Sequence, residues 1–585
     1  MVTYSGDIED QDQSAMTTVS KRSRASLRTF TRQAASEFEA ISFWGILLLI
    51  GGGMLVYSHL IPPGWLDSMV LADMLLQGWV GENQLMLEQF DILQAVEPGQ
   101  LTFLSLAGIS AALGSLVAPV VAAVLALVLI TLALHALVNV NKPRRRTPSW
   151  PLSILALSLL SGLVLHHYPP GILFGLTFSL TSLAVWRHRF SKPDIAGTLL
   201  LTLALTLTLG MDFQIFAMTV LVLGILALGE GLLEIRRLGL RPALTTTAFR
   251  LLMLLIALIP AALMLTYFTR MHTPDWGAIL LAFSLNQTPS FSFPRDVMTY
   301  ARALSAFPQS EEPWLIIGLV GVCLVFLLMG LLFRPFRGRV EPADMLFVAG
   351  AVLVGLAVTS FRDSLMTTTG ALTGAKLFWL GLILLITWSA LSPMVKPLRT
   401  VLMAASVVIT AGLTGNRVLT YENLSLRTMS VGNISGLAKK GSTVIGLDFD
   451  QSGNARQAAS LMVLQQGALN LGIPALSDSP AARLLVLNPP LKSRPGRELD
   501  RMIGGEVNTN PAAVTLDNFD EISGRPVGSV FVSGSPPASQ AGEQFSKYLK
   551  RTYEPVYRFT SGSLAGLTMY QPRSTPLNTI GDKTQ

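Results

Sequence analysis

Two aspartates that follow the first apolar run, Asp67 and Asp73, are the residues whose type and position most favour chemistry. The segment around them, 59 to 101, carries six carboxylates and neither Lys nor Arg. A carboxylate of this kind can act as a general base toward a hydroxyl group. If the segment is helical, six residues turn the chain by about 240°, so the two aspartates do not share a face. Only one of them would then reach a common cleft.

Cations occur in other segments that we predict to lie at the same membrane face. Arg362 and Lys376 stand near the ninth and tenth predicted spans, and Arg295 lies in the long segment 269–312. Further polar residues predicted at this face are His166, His167, Asp212, Arg270, His272, Asp275, Asp296 and Asp363. A carboxylate beside cations suits a reaction in which a base deprotonates a hydroxyl while the cations hold a lipid-linked phosphate leaving group. The alternative is that each residue is simply a solvated loop side chain.

The residues that could bind a metal do not form a recognisable set. His166 and His167 are adjacent on a predicted turn, where two histidines seldom share one ion, and no carboxylate is near them in sequence. Cys323 is the single cysteine and lies inside an apolar run, which excludes a disulfide framework or a thiolate site within the chain. Glu230 is expected to pair with charged neighbours a few residues along its own helix. The sequence therefore predicts neither a metal nor a cofactor.

Composition decides what kind of protein must position these residues. Half of the 585 residues are hydrophobic, 14% are charged, and the mean hydropathy is +0.51. A water-soluble chain of this length could not bury so much apolar surface in one core, so the composition predicts an integral membrane protein. The net charge of +7 comes from short basic clusters between apolar runs, where membrane topology explains it better than binding to nucleic acid.

The apolar windows predict eleven membrane spans. They are 41–60, 112–138, 151–166, 170–187, 195–211, 214–233, 249–268, 313–333, 343–361, 371–391 and 396–414. If the N-terminus is cytoplasmic, every second connecting segment should be basic. Those segments read "NKPRRR", "RHRFSK", "EIRRLGLRPALTTTAFR", "RPFRGR" and "KPLR", and all of them fit the rule.

The apolar stretch 101–140 is long enough for two spans, but two spans would place each later basic segment outside. We therefore interpret "LTFLSLAGISAALG" as an interfacial or half-inserted helix that precedes one true span. The acidic segment then lies on the outer side of the membrane. Exported loops avoid Lys and Arg, so the acidity of this segment does not by itself require chemistry.

The predicted domains follow from this topology. Residues 1–40 form a disordered cytoplasmic tail, and 41–414 form a transmembrane domain with outer loops at 61–100, containing an amphipathic helix, and at 269–312. Residues 415–572 form a periplasmic α/β domain, because strand-like runs such as "STVIGLDFD", "ARLLVLN", "AAVTLDNF", "GSVFVSG" and "GLTMYQP" alternate with helix-like stretches, an order that favours a partly parallel sheet. Residues 573–585 read as a disordered tail. The fold class is thus an α-helical polytopic membrane protein with a C-terminal soluble α/β domain.

This architecture resembles the GT-C superfamily of polytopic glycosyltransferases, most nearly a largely uncharacterised bacterial branch. The resemblance spans residues 41 to about 570 and rests on loose motifs, which are "WLDSMVLADMLLQG", "HHYPPGILFGLTFSLTSLAVW", "FQIFAMTVLVLGILALGEGL", "RLLMLLIALIPAALMLTYF", "SFSFPRDVMTY" and "TTTGALTGAKLFWLGLILLITWSAL". In that superfamily the catalytic carboxylate lies in the first outer loop, and the matching position is Asp67, with Asp73 second. Many members carry paired acids there, whereas "LDSM" has one, and relatives often have Arg where this chain has Lys376.

The resemblance implies a transferase of the bacterial inner membrane that moves a sugar from a polyprenyl phosphate to a glycan or lipid-linked acceptor on the periplasmic side, in the synthesis of a cell-surface or exported polysaccharide. It implies Asp67 as the base and Arg362, Lys376 and Arg295 at the donor phosphate, and we add His166 and His167 as substrate-binding candidates. Membrane lipid is an expected partner and nucleic acid is not. A non-catalytic scaffold or export component of the same fold is the alternative. A transporter ranks third, because most charges lie at predicted helix ends rather than at mid-bilayer.

Overall fold

The structure is a computed structural model. It describes residues 63–80, 90–92, 100–115, 117–141, 170–189, 195–271, 297–298, 301–302, 305, 311–333, 341–364, 368–391, 396–450, 454–471, 485–487, 526–536, 538, 540–560 and 564–573. The first and third predicted spans, most of the long loop 269–312, the strand predicted at "AAVTLDNF" and both predicted tails, apart from Arg573, lie outside these residues.

Helices dominate the described part of the chain. Those before the C-terminal sheet are α1 (Pro63–Val80), α2 (Gln100–Leu113), α3 (Ala118–Asn141), α4 (Pro170–Arg189), α5 (Ile195–Met211), α6 (Phe213–Leu238), α7 (Leu240–Met271), α8 (Glu312–Phe333), α9 (Asp344–Ser364), α10 (Thr368–Leu391) and α11 (Lys396–Ile434). The other two are α12 (Asn454–Gln466) and α13 (Gln540–Thr552).

Four helices among the described residues are long and apolar enough to cross a membrane. The qualifying segments are Ala118–Asn141, Phe213–Arg236, Leu240–Tyr267 and Glu312–Leu332. Helices also occupy the predicted windows 170–187, 195–211, 343–361, 371–391 and 396–414, but the qualifying segments do not include them. The protein is therefore a helical membrane protein, and the count of eleven spans stays a prediction.

The stretch 101–140 forms two helices, α2 and α3, with a short corner between them at residues 114–117. Helix α2 ends at Leu113, and Gly114 adopts φ +86°, a left-handed conformation that glycine tolerates at a helix C-terminus. With 14 residues, α2 is about 21 Å long, which is less than the roughly 30 Å of a bilayer core. The prediction of a short helix followed by one long helix is confirmed.

Helices α9 and α10 pack at unusually short range through a pair of glycines. A Cβ added at Gly350 would lie 2.8 Å from the carbonyl oxygen of Gly381, and a Cβ added at Gly381 would lie 2.9 Å from that of Gly350. Small residues permit this backbone approach, which supplies van der Waals contact between helices where no hydrophobic drive exists in lipid.

The C-terminal domain contains a five-stranded, partly parallel sheet, as the sequence predicts. Its strands are β2 (Thr443–Asp448), β3 (Leu469–Asn470), β5 (Ser529–Ser533), β6 (Tyr553–Arg558) and β7 (Thr568–Pro572), in the order β3-β2-β5-β7-β6. Strand β2 is parallel to β3 and β5, whereas β7 is antiparallel to β5 and β6. The sequence did not predict β6, which contains Pro555 and lies at the sheet edge, where proline is tolerated.

A second, two-stranded sheet joins the segment after α1 to the C-terminal domain. Strand β1 (Phe90–Ile92) pairs antiparallel with β4 (Leu485–Leu487), with Asp91 opposite Val486. The "ARLLVLN" run is therefore a strand as predicted, but it pairs outside the five-stranded sheet. Helix α11 spans 39 residues, about 58 Å, and leads without interruption from the helix bundle toward the C-terminal sheet.

Helix α1 lies where the sequence predicts an amphipathic helix in the first outer loop. Its described side chains at residues 65, 66 and 68–75 are all buried. Helix α2 and helix α12 of the C-terminal part of the chain both pack against α1 and contribute to this burial. The amphipathic character of this helix stays a prediction.

Candidate functional site

The candidate site is built around α1, the helix that carries both first-loop aspartates. Its first residue is Pro63, whose fixed φ and missing N–H suit the opening position of a helix. Leucine, methionine and alanine then favour helix over the following turns. Because α1 packs against both α2 and α12, it contacts the apolar bundle and the C-terminal α/β part of the chain at the same time.

Asp73 is buried in this contact and both of its carboxylate oxygens accept hydrogen bonds. Its side chain is 6% exposed. Ser115 Oγ donates to Oδ1 at 2.5 Å, and Gln77 Nε2, one helical turn later, donates to Oδ2 at 2.8 Å. Ser110 Oγ in turn donates to Ser115 Oγ at 3.1 Å. Asp73 therefore ties α1 to the corner between α2 and α3.

Asp67 lies six residues before Asp73 within α1. The helical backbone places the two residues about 240° apart around the axis, as predicted from their spacing. The side chain of Asp67 falls outside the described parts of the structure.

A second charged cluster links α10 to the turn between α5 and α6. Lys376 Nζ donates to Asp212 Oδ2 at 2.6 Å and to Gln214 Oε1 at 2.8 Å. The side chains of Lys376 and Asp212 are only 11% and 12% exposed. Asp212 also caps α6, because its Oδ1 accepts from the backbone N–H of Ile215 at 2.9 Å. Sequence reasoning named Lys376 and Asp212 separately, and the structure brings them together.

Helix α2 connects the two clusters. Thr102 Oγ1 donates to the carbonyl oxygen of Met211 at 3.2 Å, directly before Asp212. A Cβ added at Gly171, in the first turn of α4, would lie 2.8 Å from that same carbonyl. One end of the bundle therefore holds the end of α5 together with the starts of α3, α4, α6 and α10. This is the end at which α1 and the C-terminal domain sit.

The opposite ends of the same helices carry a separate charge network. Arg187 in α4 donates to Asn141 Oδ1 in α3 at 2.7 Å and forms an ion pair with Glu230 in α6. Glu234, one turn later, pairs with Arg250 of α7 at 2.7 Å. The prediction that Glu230 pairs within its own helix is wrong, since its partner comes from α4. Sequence spacing cannot reveal such a pairing between helices.

Open α/β sheets usually bind ligands at the carboxyl ends of their parallel strands, which here are the ends of β2 and β5. Asp448 accepts from the backbone N–H groups of Ala455 and Arg456 at 2.8 and 3.0 Å, so it caps α12. Asp450 Oδ2 accepts from Ser533 Oγ at 2.7 Å. Among the described residues, no group of three His, Cys, Asp or Glu side chains is arranged to hold a metal.

The remaining predicted site residues cannot be placed as side chains. Arg362 lies in the last turns of α9, but its side chain is outside the described parts. Arg295, His166 and His167 lie outside the described residues altogether. The other residues predicted at this face whose side chains are outside the described parts are Arg270, His272, Asp275, Asp296 and Asp363.

Comparison with known proteins gives no family for this chain. The sequence matches no protein-family model and no curated protein. Its function is therefore inferred from the geometry of these residues and from the resemblance described above.

Proposed function

We propose that this protein is a GT-C-type glycosyltransferase that moves a sugar from a polyprenyl phosphate to a glycan or lipid-linked acceptor. In the reaction, an acceptor hydroxyl oxygen forms a bond to the anomeric carbon while the bond from that carbon to the phosphate oxygen breaks. The base takes the hydroxyl proton, and polyprenyl phosphate leaves with the electron pair of the broken bond. The product belongs to a cell-surface or exported polysaccharide.

The position of α1 is the observation that supports this proposal most. A helix carrying two aspartates lies between the apolar bundle and a soluble α/β domain, at the end where Lys376 and Asp212 also lie. The lipid of a polyprenyl-phosphate donor reaches such a site from the bilayer, and the hydrophilic glycan part of the acceptor reaches it from the side of the soluble domain. The lipid and the sugar groups that this reaction brings together differ in polarity in the same way.

The roles follow from charge and position. Asp67 is the general base, because Asp73 is engaged by Ser115 and Gln77. Arg362, Lys376 and Arg295 stabilise the charge that develops on the donor phosphate, and His166 and His167 contact substrate. Lys376 must exchange its bond to Asp212 for a bond to phosphate when donor binds.

The proposed orientation places this site in the periplasm. The N-terminus is cytoplasmic, eleven spans cross the bacterial inner membrane, and the C-terminal domain lies outside. In support, α3 and α4 end at Asn141 and Arg189, which belong to the basic segments "NKPRRR" and "RHRFSK", at the end of the bundle opposite α1. Basic segments are retained on the cytoplasmic side.

Transfer from a labelled polyprenyl-phosphate sugar by the purified protein in nanodiscs tests the proposal. We expect product with the wild type and none with Asp67→Asn, because the amide keeps the shape of the side chain and loses the proton acceptor. Expression level and donor binding should stay unchanged in this variant. If the wild type binds the donor but transfers the sugar to none of a panel of acceptors, this result contradicts the proposed transferase activity.

A non-catalytic scaffold of the same fold is the second candidate. It is favoured by the internal partners of Lys376 and Asp73, which give both side chains a structural use without any substrate. A scaffold predicts no saturable binding of the donor, so the same nanodisc preparation separates the two functions.

A further inference from the structure

We infer that Asp73 is a positioning residue, which fixes the place of α1 and thereby of Asp67, rather than a second base. The inference rests on the proposed function for its meaning in catalysis. Its structural part, that Asp73 locks α1, can be tested without any enzymatic activity.

Asp73 lies in a continuous series of contacts that runs from the corner between α2 and α3 to the residue that follows α12. On one side, Ser110 and Ser115 connect it to the corner between α2 and α3, where Gly114 adopts φ +86° directly before Ser115. On the other side, Gln77 connects it to the C-terminal domain, because a Cβ added at Gly467 would lie 3.6 Å from Gln77 Nε2. Gly467 directly follows α12.

Both oxygens of the Asp73 carboxylate are used by protein groups. A general base must accept a proton from substrate at one of its oxygens. In Asp73, Oδ1 accepts from Ser115 and Oδ2 accepts from Gln77, and the side chain is 6% exposed. These contacts hold the carboxylate still and use it as an acceptor for two protein groups.

The position of Asp73 also determines the position of the Asp67 backbone. The two residues share one continuous helix and are separated by about 9 Å along its axis. A helix transmits rotation and translation along its length, so fixing α1 at Asp73 also fixes the backbone of Asp67. A misplacement of about 1 Å can lower a rate about 100-fold.

Two substitutions separate a positioning role from a base. Asp73→Asn keeps an oxygen for Ser115, and its amide can donate to Gln77 once the Gln77 amide is turned to present its oxygen. Asp73→Leu keeps the branched shape and the number of side-chain heavy atoms, replaces the two oxygens by larger methyl groups, and removes both hydrogen bonds. We expect Asp73→Asn to retain kcat within about threefold and Asp73→Leu to lose about 30-fold or more in kcat, with KM changed by less than about threefold. Loss of transfer in Asp73→Asn equal to that in Asp73→Leu would overturn the inference, as would full kcat in Asp73→Leu.

A labelling experiment tests the same inference without catalysis. Cys323 is the single cysteine of the chain, so a Cys323→Ala background carrying Asp67→Cys reports only on position 67 when treated with a water-soluble maleimide. We expect the labelling rate to be the same with Asp73 and with Asp73→Asn, and to change at least fivefold with Asp73→Leu. An unchanged rate in Asp73→Leu would refute the positioning role even if transfer activity is found. If the rate changes as expected but no preparation shows transfer, the proposed function fails and the positioning role stands.

Discussion

Lys376 and Asp212, 164 residues apart in sequence, form a 2.6 Å ion pair that joins α10 to the cap of α6. Each partner was expected at the outer membrane face on its own. Because the Asp212 carboxylate already binds the Lys376 ammonium group, a phosphate that binds Lys376 must compete with Asp212.

The first prediction concerns binding of the donor phosphate. Charge-assisted hydrogen bonds contribute roughly 1.5 to 3 kcal/mol each, so Arg362→Gln combined with Lys376→Gln should weaken binding of a polyprenyl-phosphate sugar about 100-fold. Asp212→Asn should strengthen it several-fold, since Lys376 loses its ionic competitor while the Asn oxygen can still cap α6. Saturation binding to nanodiscs measures all three proteins. Equal affinities across the set would rule out Lys376 as a donor ligand.

The second prediction concerns the pairing of β1 with β4. Residues opposite each other in an antiparallel pair have Cα atoms about 4.5 to 5.5 Å apart, within the range of a disulfide. Asp91→Cys with Val486→Cys, in a Cys323→Ala background, should therefore cross-link on mild oxidation and shift in mobility on a non-reducing gel. The mismatched pair Phe90→Cys with Leu485→Cys is the control. Efficient cross-linking of the control and not of the matched pair would show a different register.

The third prediction concerns the glycine contact between α9 and α10. Gly350→Ala places a Cβ 2.8 Å from the Gly381 carbonyl oxygen and should destabilise the protein by about 1 to 3 kcal/mol. Gly355→Ala is a matched control in the same helix, because its added Cβ would have no atom within 4 Å among the described residues outside its own stretch of helix. The control should be neutral or stabilising by about 0.5 to 1 kcal/mol. Thermal unfolding in detergent compares the two variants, and equal melting temperatures would argue against close packing.

The fourth prediction concerns sidedness. Reporter fusions should place residue 145 in the cytoplasm and residue 430 in the periplasm, because all the basic segments fall on one side of the proposed topology. Fusions at 85 and 430 should always agree with each other, since β1 pairs with β4 at the same end of the bundle. A cytoplasmic signal at 430 would refute the proposed orientation.

Sequence alone predicted the elements better than it predicted their neighbours. The short helix α2 before the long helix α3, the strands β2, β4, β5 and β7 and the helix carrying Asp67 and Asp73 follow from local hydrophobic periodicity and composition. The partners of these elements depend on tertiary packing, which has no local signature. For that reason the contact between α1 and α12 was not predicted.

The same limit applies to the candidate site. The spacing of Asp67 and Asp73 correctly indicated that they lie on different faces of one helix. Nothing in the sequence joined Asp73 to Ser115, or Glu230 to Arg187, because these contacts arise only when separate helices are brought side by side. Hydrogen-bonding serines in apolar segments are common, so Ser115 carried no special signal.

The pairing of β1 with β4 also sets an order of events during synthesis. The ribosome makes Ile92 about 390 residues before its partner Leu485. At 5 to 20 residues per second, the segment that contains β1 waits about 20 to 80 s for the strand that completes its sheet. During that interval the edge of β1 is open to pairing with other chains. Assembly of the protein therefore depends on keeping this short strand unpaired until nearly the whole chain has been inserted.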